Sequence, residues 1–226
     1  MKNLAFVLYL SSAILVANCF PDLFSDLTRF TQTEIDLWKS LIPNVKAFPD
    51  ALKVLSLGGC PQPENPPSDF DFRDLLGLWY ETERTALFEL LETGQKCPQI
   101  TFSNDENNDL KVNMTVISSL LNTPVTSIKS AKINSNQPNV FSMRYSLLAS
   151  DIQYWVVDTD YDNYALIFAC KQSLFLSIRN AWILGRKATL DASIRDNLVS
   201  KLSKLGVPET SLIKSDQSCS TFVPIQ

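Results

Sequence analysis

The sequence predicts an all-β fold: an eight-stranded antiparallel up-and-down barrel, flanked by one C-terminal α-helix and preceded by a helical N-terminal extension. Three observations point there. From Leu78 to about Arg186 the chain runs in short segments rich in Val, Ile, Thr, Tyr, Phe and Trp. Polar turn clusters such as Ser103-Asn104-Asp105-Glu106-Asn107-Asn108 and Ser135-Asn136-Gln137-Pro138-Asn139 separate them, which is the texture of strands joined by hairpins. Behind this region Ile194, Leu198, Leu202 and Leu205 recur on a single helical stripe. Ahead of it the stretch from Cys60 to Ser68 is too proline-rich for a helix or an interior strand, so it reads as a linker at which the barrel domain begins.

Taken in order, residues 1–19 read as a secretory signal peptide. Lys2 gives the positive start, Leu4 to Val16 the apolar run, and Ala17 and Cys19 the small residues before cleavage. The run falls short of the roughly 20 residues that span a bilayer. A lipid-anchored Cys19 is the rival reading, and Asn18 fits it badly.

Residues 20–59 form the amphipathic extension. Leu37, Trp38, Leu41, Ile42 and Val45 share a helical face behind Thr33, a residue suited to the N-cap, and Pro43 kinks or ends that segment. A second short helix is expected from Pro49 to Leu57, stopped by Gly58 and Gly59. The extension docks on its own barrel, serves a membrane surface or a protein partner, or is a removable pro-segment, although no paired basic residues mark a processing site between 20 and 59.

Strands are expected near 78–86, 97–103, 109–117, 124–133, 140–148, 152–159, 163–171 and 180–187. Connected in order, they favour a closed barrel, which leaves no unpaired edge. The helix through Ile194 and Leu205 ends at Gly206, with Pro208 beyond. Its one apolar stripe suits the outside of the barrel, and an extended tail then leads to Cys219.

Composition excludes several functions. The 226 residues are 45% hydrophobic and 19% charged, enough for one sizeable core and too apolar for a disordered chain. Lys and Arg number 20 against 24 Asp and Glu, a formal net charge of −4 with no basic block, so no nucleic acid partner is expected. The chain has no histidine, which removes imidazole triads, dyads and metal sites. After residue 19 four cysteines remain, Cys60, Cys97, Cys170 and Cys219. No two lie within four residues of each other, so they match no zinc pattern, and an even set in an oxidising compartment reads as two disulfides.

Three ordered segments carry a family resemblance. Gly77-Leu78-Trp79-Tyr80-Glu81 on the first strand, Thr159-Asp160-Tyr161-Asp162-Asn163-Tyr164 at a later hairpin and Ala181-Trp182-Ile183-Leu184-Gly185-Arg186 on the last strand resemble the signature regions of the lipocalins. Within that family the likeness is greatest to the branch of apolipoprotein D and the insect bilin-binding proteins. It rests on Phe72, Leu76-Gly77, Tyr154-Trp155, Tyr164-Ala165-Leu166 entering Cys170, and Asp216-Gln217 before Cys219. It spans roughly residues 60–220; residues 20–59 have no counterpart, and Gly185 stands where a larger residue is common.

The resemblance implies a secreted binding protein whose barrel holds a small hydrophobic ligand, such as a lipid, fatty acid, sterol or pigment, with no cofactor, metal or catalytic residue. Gly77, Trp79 and Arg186 then form the barrel floor. Trp182, Tyr154, Val156, Leu184 and Glu81 are the candidate ligand contacts, and Trp155, of opposite parity to Tyr154, faces outward. By the same parity Glu83 faces inward with Glu81, both sitting near the mouth or pairing with a lysine or arginine. The resemblance pairs Cys60 with Cys170 and Cys97 with Cys219. Asn113-Met114-Thr115 is a glycosylation sequon on the third strand, with Asn113 expected to point outward. An extracellular interaction or matrix protein working through the barrel surface and residues 20–59 is the alternative. An enzyme would need a thiol outside both disulfides.

Overall fold

The computed structural model describes residues 53, 55–63, 70–85, 95–107, 109–118, 122–144, 151–173 and 176–219. The signal peptide and nearly all of the expected N-terminal helices lie outside these residues. So does the end of the strand expected to reach residue 148.

The described residues form a ten-stranded antiparallel sheet whose central eight strands close on themselves. Those eight are β2 (Gly77–Thr85), β3 (Gln95–Asn104), β4 (Leu110–Ser118), β5 (Thr123–Asn134), β6 (Gln137–Met143), β7 (Ile152–Thr159), β8 (Tyr164–Ser173) and β9 (Leu176–Gly185). Each pairs with the next, and β9 pairs back to β2 through Tyr80 to Arg84. The expected strands are all present; β9 starts earlier than the sequence suggests, and Arg186 falls just past its end.

Alternation sorts side chains between two cores. Inside the barrel pack Trp79, Ile100, Phe102, Leu110, Val112, Phe141, Tyr154, Val156, Trp182 and Leu184, with Phe70, Phe72 and Leu75 plugging the closed end. Outside, Trp155, Leu166, Phe168, Ala181 and Ile183 meet Leu198, Val199, Leu202 and Leu205 of α1 (Ala192–Lys204). Asp191 caps α1, its carboxylate accepting from Ser193 N at 2.8 Å. Gly206, at φ +73°, ends it in a Schellman turn in which Val207 N donates to Leu202 O. Trp155 therefore does leave the barrel interior, as parity requires, but α1 buries it.

Both chain ends add a short strand at the open end. β1 (Leu55–Leu57) pairs with β9 from Ile178 to Leu176, and the disulfide Cys60–Cys170 follows it. The second expected helix is thus corrected at its end: Leu55–Leu57 is strand, because β9 continues past the last β2 pairing and offers a free edge there. At the other end β10 (Leu212–Lys214) pairs with β2 from Thr85 to Glu83, where β2 has parted from β3. The disulfide Cys97–Cys219 holds that tail. The two bridges are the pairing that the resemblance implies.

Candidate functional site

The closed end is built around Arg186. Its guanidinium carbon lies 3.7 Å from the centre of the Trp79 ring. It donates from Nε to Tyr161 O at 2.9 Å, from Nη1 to Leu78 O at 3.0 Å, and from Nη2 to Leu76 O at 3.2 Å and Asp74 O at 3.3 Å. Trp79 Nε1 donates to Leu75 O at 2.7 Å, so the fully buried indole has no orphan donor. One side chain thus gathers the carbonyls of the short 3₁₀ turn Phe72–Leu75, the start of β2 and the 160–163 hairpin. Gly77 permits this: its φ is +101°, and a Cβ there would sit 3.3 Å from Arg186 Nη1.

Above the floor the interior is aromatic. Phe141 and Tyr154 stack at 5.2 Å, and Tyr154 lies 5.8 Å from Trp182. Val156 and Leu184 are buried below them. These four candidate contacts, Trp182, Tyr154, Val156 and Leu184, belong to the packed interior.

An open cavity of about 280 Å³ lies toward the mouth, against β2 to β5. Ile100, Met114, Val116 and Val125 give it apolar walls; Glu81, Arg84, Gln95, Gln99, Ser127 and Lys129 give it polar ones. Of the candidate contacts Glu81 alone lines it. Arg84, Lys129 and the β3 to β5 residues were not singled out from the sequence, since parity identifies an inward residue without saying how deep it lies. The signal for Arg84 was also hidden by a bulge. The β2–β9 register slips between Glu81 and Glu83, so Glu81 faces Leu184, Glu83 faces Ile183 and Arg84 faces Trp182.

That slip corrects the expectation for Glu83. It turns outward, where its carboxylate accepts from Arg195 Nε of α1 at 2.6 Å and Nη2 at 3.1 Å. Arg195 also donates to Glu209 at 2.8 Å, and these hydrogen bonds hold its pKa well above the usual arginine value. Arg84 takes the inward place. Its Nε lies 3.5 Å from Glu81 Oε1, with both residues under 5% exposed. The carboxylate–arginine pairing expected for the two acids is therefore present, but on opposite faces of the sheet.

The C-terminal tail braces the carboxylate in the cavity wall. Ser215 Oγ donates to Glu81 Oε1 at 2.6 Å, and Ser215 N to Thr82 O at 3.0 Å. Gln217 Nε2 donates to Glu81 O and Pro98 O, both at 2.8 Å, spanning the gap between β2 and β3. Cys97 N donates to Asp216 O at 2.6 Å beside the bridge. A buried carboxylate needs such partners, since ionised oxygen left without them in an apolar barrel costs several kcal/mol. Asn113 lies on the outer face of β4, half-buried, with Oδ1 enclosed and without a hydrogen bond.

Among the described residues no cluster of metal-ligating side chains occurs, and all four described cysteines are paired. The arrangement offers apolar contact, shape and a few charges, which is the equipment of a binding site.

Comparison with known proteins agrees with this geometry. Residues 76–218 match the Lipocalin / cytosolic fatty-acid binding protein family. Apolipoprotein D of Cavia porcellus is 31% identical over 177 residues, 76% of this chain and 89% of that protein. The structure of insecticyanin from the tobacco hornworm Manduca sexta superposes with a TM-score of 0.59 at 23% identity, over 72% of this chain and 88% of that one. Lobster apocrustacyanin A1 gives 0.61 at 18% identity, over 74% and 93%.

Proposed function

The chain belongs to the lipocalin family, and on that premise we propose that it is a secreted carrier holding one small hydrophobic ligand, a lipid, fatty acid, sterol or pigment, in its barrel. The observation that carries this reading is the 280 Å³ cavity, walled by Ile100, Met114, Val116 and Val125 and open at one end of a barrel sealed at the other by Trp79 and Arg186. Secretion is supported by the apolar run behind Lys2 and by two disulfides that tie long spans of chain, 110 and 122 residues apart. The function requires no chemistry, and the paired cysteines offer no nucleophile.

The test is mass spectrometry of organic-extractable material that copurifies with the protein from its natural source, followed by titration of the emptied barrel with fatty acids, sterols and tetrapyrroles. A stoichiometric extractable molecule that rebinds supports the carrier. A barrel that carries nothing and binds nothing in the panel transfers the function to its surface and to residues 20–59. On the outer wall the sequon at Asn113 supports a glycan; a mass unchanged by glycosidase treatment would remove it.

A further inference from the structure

We propose that the N-glycan carried by Asn113 lies back on the barrel, its first N-acetylglucosamine seated on Ile128 of β5 and covering an apolar spot that the outer wall leaves bare. This rests on the sequon reading and adds what the sugar does once attached. Register, exposure and the surrounding side chains lead there.

Asn113 of β4 is the cross-strand partner of Ile128. Val112 and Ala131, one and three residues away on the same two strands, belong to the interior cluster, so Asn113 and Ile128 both face outward. Facing residues on neighbouring antiparallel strands hold their Cβ atoms about 5 Å apart, close to the span of one sugar ring. The Oδ1 of Asn113 is enclosed. An amide sends its oxygen and its nitrogen apart from one carbon, so the enclosed oxygen turns Nδ2, the atom that a glycan is attached to, toward solvent. The donor is a lipid-diphosphate oligosaccharide of the secretory pathway. The bond from its sugar C1 to the diphosphate oxygen breaks as the bond from Asn113 Nδ2 to C1 forms; lipid diphosphate leaves with the bonding pair, and the amide gives up one proton.

Ile128 is 65% exposed. Among the described residues the other exposed large apolar side chains stand elsewhere: Val125 lines the cavity, Ile133 has the parity of the interior Phe141, and Leu57 belongs to the added strand β1. A single exposed isoleucine has no meaning by itself. Its neighbours give this one a meaning. Thr126 and Ser130 flank it on the same face of β5, and Thr115 and Lys111 stand opposite them on β4. The Thr115 and Thr126 hydroxyls are 2.9 Å apart, and Lys111 Nζ donates to Ser130 Oγ at 2.8 Å. An apolar centre ringed by hydroxyls matches a pyranose, which presents C–H groups on one face and hydroxyls and an acetamide around its rim. The C–H face takes Ile128 out of water, and the rim exchanges water for the threonine and serine hydroxyls.

The experiment takes the full chain secreted from eukaryotic cells and compares its thermal midpoint in three forms: untreated, trimmed by an endoglycosidase to the first N-acetylglucosamine, and freed of the whole glycan by an amidase. Asn113→Gln removes the glycan by a second route, and Ile128→Ser removes the apolar contact while keeping the sequon. Trimming to the first sugar should leave the midpoint within about 1 °C, whereas complete removal or Asn113→Gln should lower it by roughly 2 to 4 °C. In Ile128→Ser the same complete removal should cost less than about half as much, the coupling that a double-mutant cycle isolates. An equal loss in the wild type and in Ile128→Ser, or a full loss already on trimming to the first sugar, overturns the contact and leaves the glycan in place. A secreted chain whose peptide bears no sugar at Asn113 overturns the sequon reading and the contact together.

Discussion

Arg186 stacks its guanidinium 3.7 Å from the centre of the Trp79 ring while donating to the carbonyls of Leu76, Leu78, Asp74 and Tyr161. The floor of the barrel thus hangs on one planar cation that satisfies an aromatic face and several backbone acceptors together. Arg186→Lys keeps the charge and loses the plane and most of the donors, so it should cost about 2 to 3 kcal/mol. Urea denaturation of the two proteins measures it; a loss below about 0.5 kcal/mol would show that charge alone suffices.

Gly185, where a larger residue is common in the family, has a local cause. A Cβ there would meet Lys187 O at 2.7 Å, a backbone atom that cannot step aside cheaply. Gly185→Ala should destabilise by about 2 kcal/mol. Gly58→Ala is the control, since Gly58 has φ +97° and open space around it; strain alone should cost it about 1 kcal/mol. Thermal melts of both variants should rank them in that order.

Trp155 of β7 and Trp182 of β9 face different cores, so truncating them should have separable effects. Trp155→Ala empties the space beneath α1 and should cost about 3 to 5 kcal/mol, with ligand affinity unchanged in the folded protein. The counterpart is Trp182→Ala, inside the barrel and opposite Arg84. Trp182 does not line the cavity but faces Arg84, which does, so its loss should loosen that wall and weaken binding severalfold, equivalent to about 1 kcal/mol. Denaturation and ligand titration on each variant separate the effects. Greater loss of affinity in Trp155→Ala would invert the assignment of faces.

Tyr164 predicts an alkaline transition. Burial, then the neighbouring Asp158 carboxylate, to which its hydroxyl donates at 3.2 Å, push its phenol up to about 12. In the unfolded chain it ionises near pH 10. Its stabilising contribution is therefore complete below pH 10 and is lost as pH rises through 12. Tyrosinate absorbance should show a late-titrating phenol that disappears in Tyr164→Phe, and stability of the wild type should fall more steeply than that of the variant over that window.

Much of the fold is legible in the sequence because hairpin-rich sheet writes its period and its turns locally. The strands from Gly77 to Gly185 and the stripe through Leu198 and Leu202 are examples. The floor and the cysteine pairing come through the family likeness. What escapes has physical reasons. Glu81-Thr82-Glu83-Arg84 reads as plain alternation, and only the pairing with β9 reveals the extra residue that turns Glu83 toward Arg195 and Arg84 inward. Leu55–Leu57 lies between Pro49 and Gly58, which resemble helix boundaries, yet a vacant edge on β9 and the nearby Cys60 bridge make it a strand. Depth along the barrel axis is not written locally either. Trp182 and Ile100 both point inward, and packing of Phe141 and Tyr154 decides which stands by open space.

The two bridges also determine how the molecule would carry mechanical tension. A pull applied at Cys60 and Cys219 crosses at once to Cys170 and Cys97. Three stretches of chain then run in parallel between the bridges, from Cys60 to Cys97, from Cys97 to Cys170 and from Cys170 to Cys219, and the first is the shortest. β2 lies on it and draws taut first, while the longer stretches through β3 to β8 and through β9 and α1 stay slack. Stretched in a force spectrometer, the oxidised protein should yield a short extension limited by that first segment, and the reduced protein a much longer one. The strand that carries Glu81 and Arg84 thus takes the first load from forces acting on the chain ends, for as long as both bridges stay closed.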